Sequence, residues 1–168
     1  PGTLIYSPDS LEELSCCIDK AIDYPGLSAV RYPKGKEPEY DRDRFINKGS
    51  LSYTDFGNPQ RVIVTYGRLT AEAVKAAEKL GDTRVIKLVM IKPVDFDTLI
   101  PLIGNMPTLF AEEGMFEGGI GETVKAKTGK VLKIAAIDGV LPEHGSNDKL
   151  FKQLGLDAES LYKELISL

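Results

Sequence analysis

The spacing of apolar residues changes along the chain, and each change marks an element. Residues 3–6 form a short β-type run. Leu11, Leu14, Ile18, Ala21 and Ile22 then recur at helical spacing and predict a helix with one apolar stripe. Ser7 is placed to cap that helix, and Pro8 suits its first position. Asp9, Glu12 and Glu13 would set negative charge at the positive end of the helix dipole. Pro25-Gly26 breaks the helix, and residues 27–32 read as a second, mostly buried strand, closed by Pro33 and Gly35.

Residues 34–44 are dense in charge and predict an exposed linker, and residues 45–53 leave room for a short edge strand. A regular alternation follows. Residues 61–66 are a buried-type strand, and residues 70–80 a helix that turns Ala73, Val74, Ala77 and Leu80 to the core and stops at Gly81. Strands are predicted at 85–91, 108–112 and 131–137, and helices at 95–103, 122–128, 147–154 and 158–166. Strands alternating with helices indicate a three-layer α/β fold: a mostly parallel sheet with helices on both faces, joined by right-handed crossovers. Residues 1–40 make a partial βαβ unit ahead of it, too small to bury its own faces. The expected organisation is therefore the tail of one domain over 1–40, a linker with a possible edge strand over 41–59, and a complete domain over 60–168.

Composition narrows the function classes without choosing one. Of 168 residues, 42% are apolar and 27% charged, which is ordinary globular usage. The formal net charge of −4 gives no electrostatic reason to expect nucleic acid or an anionic membrane as partner. No apolar run approaches the roughly 20 residues of a membrane span, and no basic-then-apolar leader opens the sequence, so a cytoplasmic protein is expected. Cys16 and Cys17 are neighbours, cannot form a closed metal site, and read as buried thiols. His144 is the one histidine, so it is the one candidate imidazole acid or base.

Four strings carry candidate chemistry. In Ser28-Ala-Val-Arg-Tyr-Pro-Lys-Gly35, Arg31 follows an apolar run and stands at a strand's carboxyl end, the edge where α/β folds bind ligands. Its planar fork suits a phosphate or carboxylate, the alternative being an ion pair with a nearby acid. In Ala111-Glu-Glu-Gly-Met-Phe-Glu-Gly-Gly-Ile-Gly-Glu122, two carboxylates end a strand and glycines lead into a helix. Glu117 and Glu122 would repel a phosphate there, so close helix-to-sheet packing or a subunit interface is expected instead. Lys92-Pro-Val-Asp95 reads as structural, with Asp95 capping the next helix. Glu143-His-Gly-Ser146 precedes a helix that Ser146 or Asn147 would cap, with His144 a surface residue.

Together these strings, with Tyr6-Ser-Pro-Asp-Ser-Leu-Glu-Glu13 and Leu154-Gly-Leu-Asp157, resemble the C-terminal part of the 1-deoxy-D-xylulose-5-phosphate synthases. These belong to the transketolase-like family of thiamine-diphosphate enzymes. The glutamate and glycine string is shared with β subunits of 2-oxo-acid dehydrogenases, and Arg-Tyr-Pro-Lys-Gly favours the synthases. The resemblance implies a homodimeric enzyme of three α/β domains that condenses pyruvate with glyceraldehyde 3-phosphate and releases CO2, using thiamine diphosphate and Mg2+. It implies that Arg31 binds the aldehyde's phosphate. The family's Gly-Asp-Gly metal motif, cofactor-activating glutamate and active-site histidines have no counterpart in this sequence. No catalytic, cofactor or metal residue is therefore carried over, and the chain alone is expected to be an inactive fragment. The rival expectations are a non-catalytic α/β assembly or binding module, and the C-terminal part of a 2-oxo-acid dehydrogenase β subunit.

Overall fold

The computed structural model describes residues 2–139 and 144–168, so Glu143 lies outside the described residues. Nine strands and six α-helices are found among them, with a short 3-10 helix at Arg42–Arg44. In chain order they are β1 Leu4–Tyr6, α1 Leu11–Asp23, β2 Ser28–Val30, β3 Ile46–Lys48, β4 Leu51–Gly57, β5 Arg61–Tyr66 and α2 Leu69–Leu80. There follow β6 Asp82–Leu88, β7 Met90–Lys92, α3 Phe96–Ile103, β8 Thr108–Met115, α4 Ile120–Thr128, β9 Val131–Ile137, α5 Asn147–Leu154 and α6 Ala158–Ile166.

The larger sheet has the order β3-β4-β6-β5-β8-β9. Strands β6, β5, β8 and β9 run parallel, and β3 and β4 join antiparallel at one side. Val62, Ile63 and Val64 are fully buried, so β5 carries a continuous apolar run rather than an alternation. Helices α2 and α6 cover one face through Leu69, Ala73, Ala77, Leu161 and Leu165. Helices α3 and α4 cover the other through Leu99, Ile103 and Val124. This is the predicted α/β architecture with helices on both faces, on a mixed sheet.

Several local expectations are corrected. The cap of α1 is Ser10, whose hydroxyl accepts from Glu13 N at 3.1 Å. Ser7 and Pro8 instead continue the extended chain, with Ser7 N donating to Val89 O at 2.7 Å. Asp9 does not serve the helix dipole either, because it is buried and paired with Lys87 Nζ at 3.3 Å. The α1 stripe is largely uncovered: Leu11 and Ile22 are 69% and 75% exposed. Cys17 is buried but Cys16 is exposed, since helical neighbours point about 100° apart. Strand β2 is only half-buried, as the edge of its small sheet, with α1 packed beside it through Ser28 Oγ donating to Ala21 O at 3.0 Å.

The expected edge strand at 45–53 is a hairpin, β3 to β4, whose second strand lies inside the sheet against β6. The apolar run at 85–91 divides at Val89: β6 ends, and β7 leaves the large sheet to pair antiparallel with β1. The second sheet, β2-β1-β7, thus takes strands from both ends of the predicted linker. The linker itself is not wholly solvated. Lys87 Nζ meets Asp9, Glu13 at 2.5 Å and the Tyr40 hydroxyl at 3.2 Å, and Tyr40 in turn donates to Asp9.

Candidate functional site

The segments that follow β2 of the small sheet and β5 of the large one, with Glu113 of β8, line a small pocket. Arg31 follows β2, and its backbone N–H donates to Tyr6 O at 2.8 Å, extending the pairing with β1 by one residue. Pro33 then prevents further pairing, which leaves the side chain at the strand mouth. Beyond β5 the chain turns at Gly67 with φ of +59°, a left-handed conformation that a side chain would strain. Arg68 follows as the N-cap residue of α2, without a side-chain cap bond. The buried run of β8 ends on Glu112, and the half-buried Glu113 follows.

The pocket encloses about 230 Å3, lined by Ser7, Arg31, Lys34, Arg68, Glu113 and Asn147 among others. That volume is below the roughly 300–1,000 Å3 of a drug-sized site, so it suits a small ion or one end of a longer substrate. Arg31 Nη1 donates to the Tyr66 hydroxyl at 3.2 Å, and Nη2 to Glu113 O at 2.5 Å. Arg68 Nη2 donates to Lys34 O at 2.8 Å, and Arg68 is nearly buried, at 9% exposure. Among the described residues neither guanidinium has a carboxylate oxygen within 4.0 Å. The ion pair considered as the alternative role of Arg31 is therefore not seen among them. Each guanidinium offers five N–H donors, and the bonds recorded among the described residues are these two from Arg31 and this one from Arg68.

Behind Arg31 lies a second tier. Tyr66 donates to Glu112 Oε2 at 2.8 Å, and the same carboxylate accepts from Ile120 N at 3.1 Å and Gly121 N at 2.9 Å. Glu112 is buried at the start of α4, where unpaired N–H groups favour negative charge. The glycine string thus does hold an anion, and it is the protein's own. A Cβ on Gly121 would lie 2.9 Å from Phe110 Cδ1 and Ile134 Cγ2, which is the close helix-to-sheet packing expected of that string. Burial, and then the Glu112 charge, push the Tyr66 phenol up. Burial also raises the Glu113 carboxyl, opposed by Arg68 and Arg31.

The other candidates separate from this site. His144 is exposed, and Asn147, three residues on, is the part of that loop lining the pocket. Asp95 caps α3, accepting from Thr98 N at 3.1 Å, as expected. Arg68 and Tyr66 were not singled out in the sequence. The signal was available, because both sit at the carboxyl end of a buried strand, the position that selects Arg31. Among the described residues no group of three or more His, Cys, Asp or Glu could hold a metal ion. Glu112 is filled by backbone and phenol donors, and the pocket itself is cationic. The described residues therefore do not fit a Mg2+–diphosphate group, and no chemical step is routed through one.

Comparison with known proteins places the chain. Residues 55–161 match the family described as "Transketolase, C-terminal domain". The chain is 28% identical over 173 residues to a 1-deoxy-D-xylulose-5-phosphate synthase from Marinomonas sp. (strain MWYL1), covering 98% of this chain and 28% of that protein. It is 31% identical over 175 residues to one from Dechloromonas aromatica (strain RCB), covering 97% of this chain and 28% of that protein. It thus spans 28% of the length of these relatives. A solved chain described as "Split gene transketolase, inactive beta4 tetramer" superposes with a TM-score of 0.76 at 22% identity, over 100% of this chain and 59% of that one. Transketolase from Leishmania mexicana superposes with a TM-score of 0.72 at 16% identity, over 100% of this chain and 25% of that one. These superpositions show a shared fold, and with the match over residues 55–161 the chain belongs to the transketolase C-terminal domain family.

Proposed function

We propose that the chain serves as the C-terminal part of a thiamine-diphosphate transferase of the 1-deoxy-D-xylulose-5-phosphate synthase kind, condensing pyruvate with glyceraldehyde 3-phosphate. Within it Arg31 receives the aldehyde's phosphate. The observation that carries this reading is the placement of Arg31: at a strand mouth, in a small cationic pocket, with no carboxylate within 4.0 Å among the described residues. Similarity to the synthases supplies the substrate class. Thiamine diphosphate and Mg2+ would be held by parts of the enzyme other than these residues, so this chain alone would neither bind the cofactor nor turn over, and a homodimer is the expected assembly.

The test is steady-state kinetics of the assembled synthase with each substrate varied. A charge-assisted contact to phosphate is worth about 1.5–3 kcal/mol, so Arg31→Ala should lower kcat/KM for glyceraldehyde 3-phosphate by roughly ten- to a hundredfold. Pyruvate and cofactor binding should change little. Unchanged kinetics for the phosphorylated aldehyde would reject the role of Arg31.

A second reading has one observation behind it. The split-gene transketolase chain is described as an inactive β4 tetramer, and this chain covers 59% of it. On that reading the chain is a subunit whose catalytic groups come from another polypeptide. Mixing it with a partner that carries the diphosphate-binding domain would then restore activity, whereas a reading frame continuous with such a domain decides for the first.

A further inference from the structure

Arg31 and Arg68 approach the same pocket from opposite sides of the predicted linker, one after β2 and the other from the turn between β5 and α2. Arg68 is the more enclosed of the two, at 9% exposure against the exposed Arg31. A nearly buried guanidinium is normally neutralised by a carboxylate. Here its one recorded bond is to a backbone oxygen, Lys34 O at 2.8 Å, so the charge stays uncompensated at hydrogen-bond range among the described residues. The cost of holding it there is met if the pocket takes an anion. Glu113, which lines the same pocket, offers its backbone oxygen to Arg31; its carboxyl feels the charge of both arginines, Arg68 the more, but forms no ion pair with either within 4.0 Å.

We infer that Arg68 is a second anion-binding residue, and that the two guanidinium groups together select a phosphate monoester, a dianion, over a carboxylate. This rests on the reading of Arg31 as a phosphate-binding residue and adds the selectivity. Two forks holding three terminal oxygens and two charges match a phosphate better than the two oxygens and single charge of a carboxylate. The placement also gives the C-terminal domain a direct part in binding substrate: the ion would bridge residue 31, just after β2 of the small sheet, and residue 68, at the start of α2 after β5 of the large one. The bond to Lys34 O gives Arg68 a structural task as well, since it holds the loop that follows Arg31.

Titration of the chain with inorganic phosphate and with acetate, at fixed ionic strength and followed by calorimetry or amide NMR, tests the inference. Wild type should prefer phosphate. Arg68→Gln keeps a polar N–H group and removes the charge, though its amide ends two atoms short of Nη2 and gives up the bond to Lys34 O. It should remain folded, with a small drop in melting temperature, yet bind phosphate roughly tenfold or more weakly, with acetate less affected. Arg68→Lys should recover part of the loss, which a purely structural role would not produce. Phosphate affinity at the wild-type level in Arg68→Gln, with Arg31→Ala impaired, overturns the inference and leaves the role of Arg31 standing. Undiminished binding in Arg31→Ala removes the role of Arg31 instead. If Arg68→Gln does not fold, Arg68→Lys decides: a severalfold loss supports the inference and wild-type affinity overturns it.

Discussion

Tyr66 joins Arg31 to Glu112: its hydroxyl accepts from Arg31 Nη1 at 3.2 Å and donates to Glu112 Oε2 at 2.8 Å. The guanidinium at the pocket mouth is thereby tied to a carboxylate seated on the N-terminus of α4. Tyr66→Phe keeps the ring and removes both bonds. The buried carboxylate loses a donor, so about 1–3 kcal/mol of stability should go. Arg31 should keep its bond to Glu113 O but lose the one that fixes Nη1, and phosphate affinity should fall several-fold. A melting curve beside a phosphate titration reads both, and unchanged binding would confine Tyr66 to a structural part.

Gly121→Ala should destabilise mainly through packing, although its methyl would also press on Glu112 Oε1 at 3.0 Å. Its new methyl would meet Phe110 and Ile134 at 2.9 Å, where α4 lies closest to the sheet. Overpacking of this kind costs about 1–3 kcal/mol. Thermal unfolding should show the loss, and an unchanged melting temperature would show that the helix end gives way without cost.

Lys87 is the hinge of the buried ion cluster, 4% exposed against an Asp9 that is 1% exposed. Removing one partner of such a pair leaves an uncompensated charge, so Lys87→Ala should cost about 3–5 kcal/mol. The first segment should loosen before the large sheet does. Limited proteolysis should then cut within residues 31–40 sooner than in wild type, and a variant as resistant as wild type would show that the cluster does not anchor that segment.

The two cysteines should behave as opposites. Cys16 is exposed and should react with a thiol reagent in the folded protein, while Cys17 should wait for unfolding. Burial pushes the Cys17 thiol up to about 11 from an ordinary value of 9.0. The native state therefore keeps this proton where the unfolded chain has released it. That contribution to stability is whole below pH 9.0 and is lost as pH rises towards about 11. Chemical denaturation across this window should show a steeper fall in wild type than in Cys17→Ala, and equal slopes would reject the assignment.

Residues whose neighbours are local were legible in the sequence. Strand β9 and helices α5 and α6 fall where the periodicity puts them, and Asp157 caps α6 by accepting from Ser160 N at 3.3 Å. The start of α1 was misread because its deciding partner is distant. Ser7 and Ser10 are both plausible caps, and the choice goes with Asp9, bonded to Lys87 across 78 residues of sequence. Likewise the apolar run at 85–91 gives no local hint of its division, since β1, not a turn residue, claims Met90–Lys92. Arg31 was legible because the strand and its stop are adjacent. That it shares a pocket with Arg68 was not, because nothing local relates β2 to the turn after β5.

The passage of β7 from the large sheet to the small one has a consequence for how such proteins can be rearranged. A recombination or cut near residue 60 would look clean in sequence, yet it would strip β1 from Met90–Lys92 and leave that strand's backbone groups bare. An open edge of this sort invites pairing with other molecules. Swapping this module between enzymes should therefore succeed only when the junction lies ahead of Leu4, so that the receiving strand travels with the one it receives.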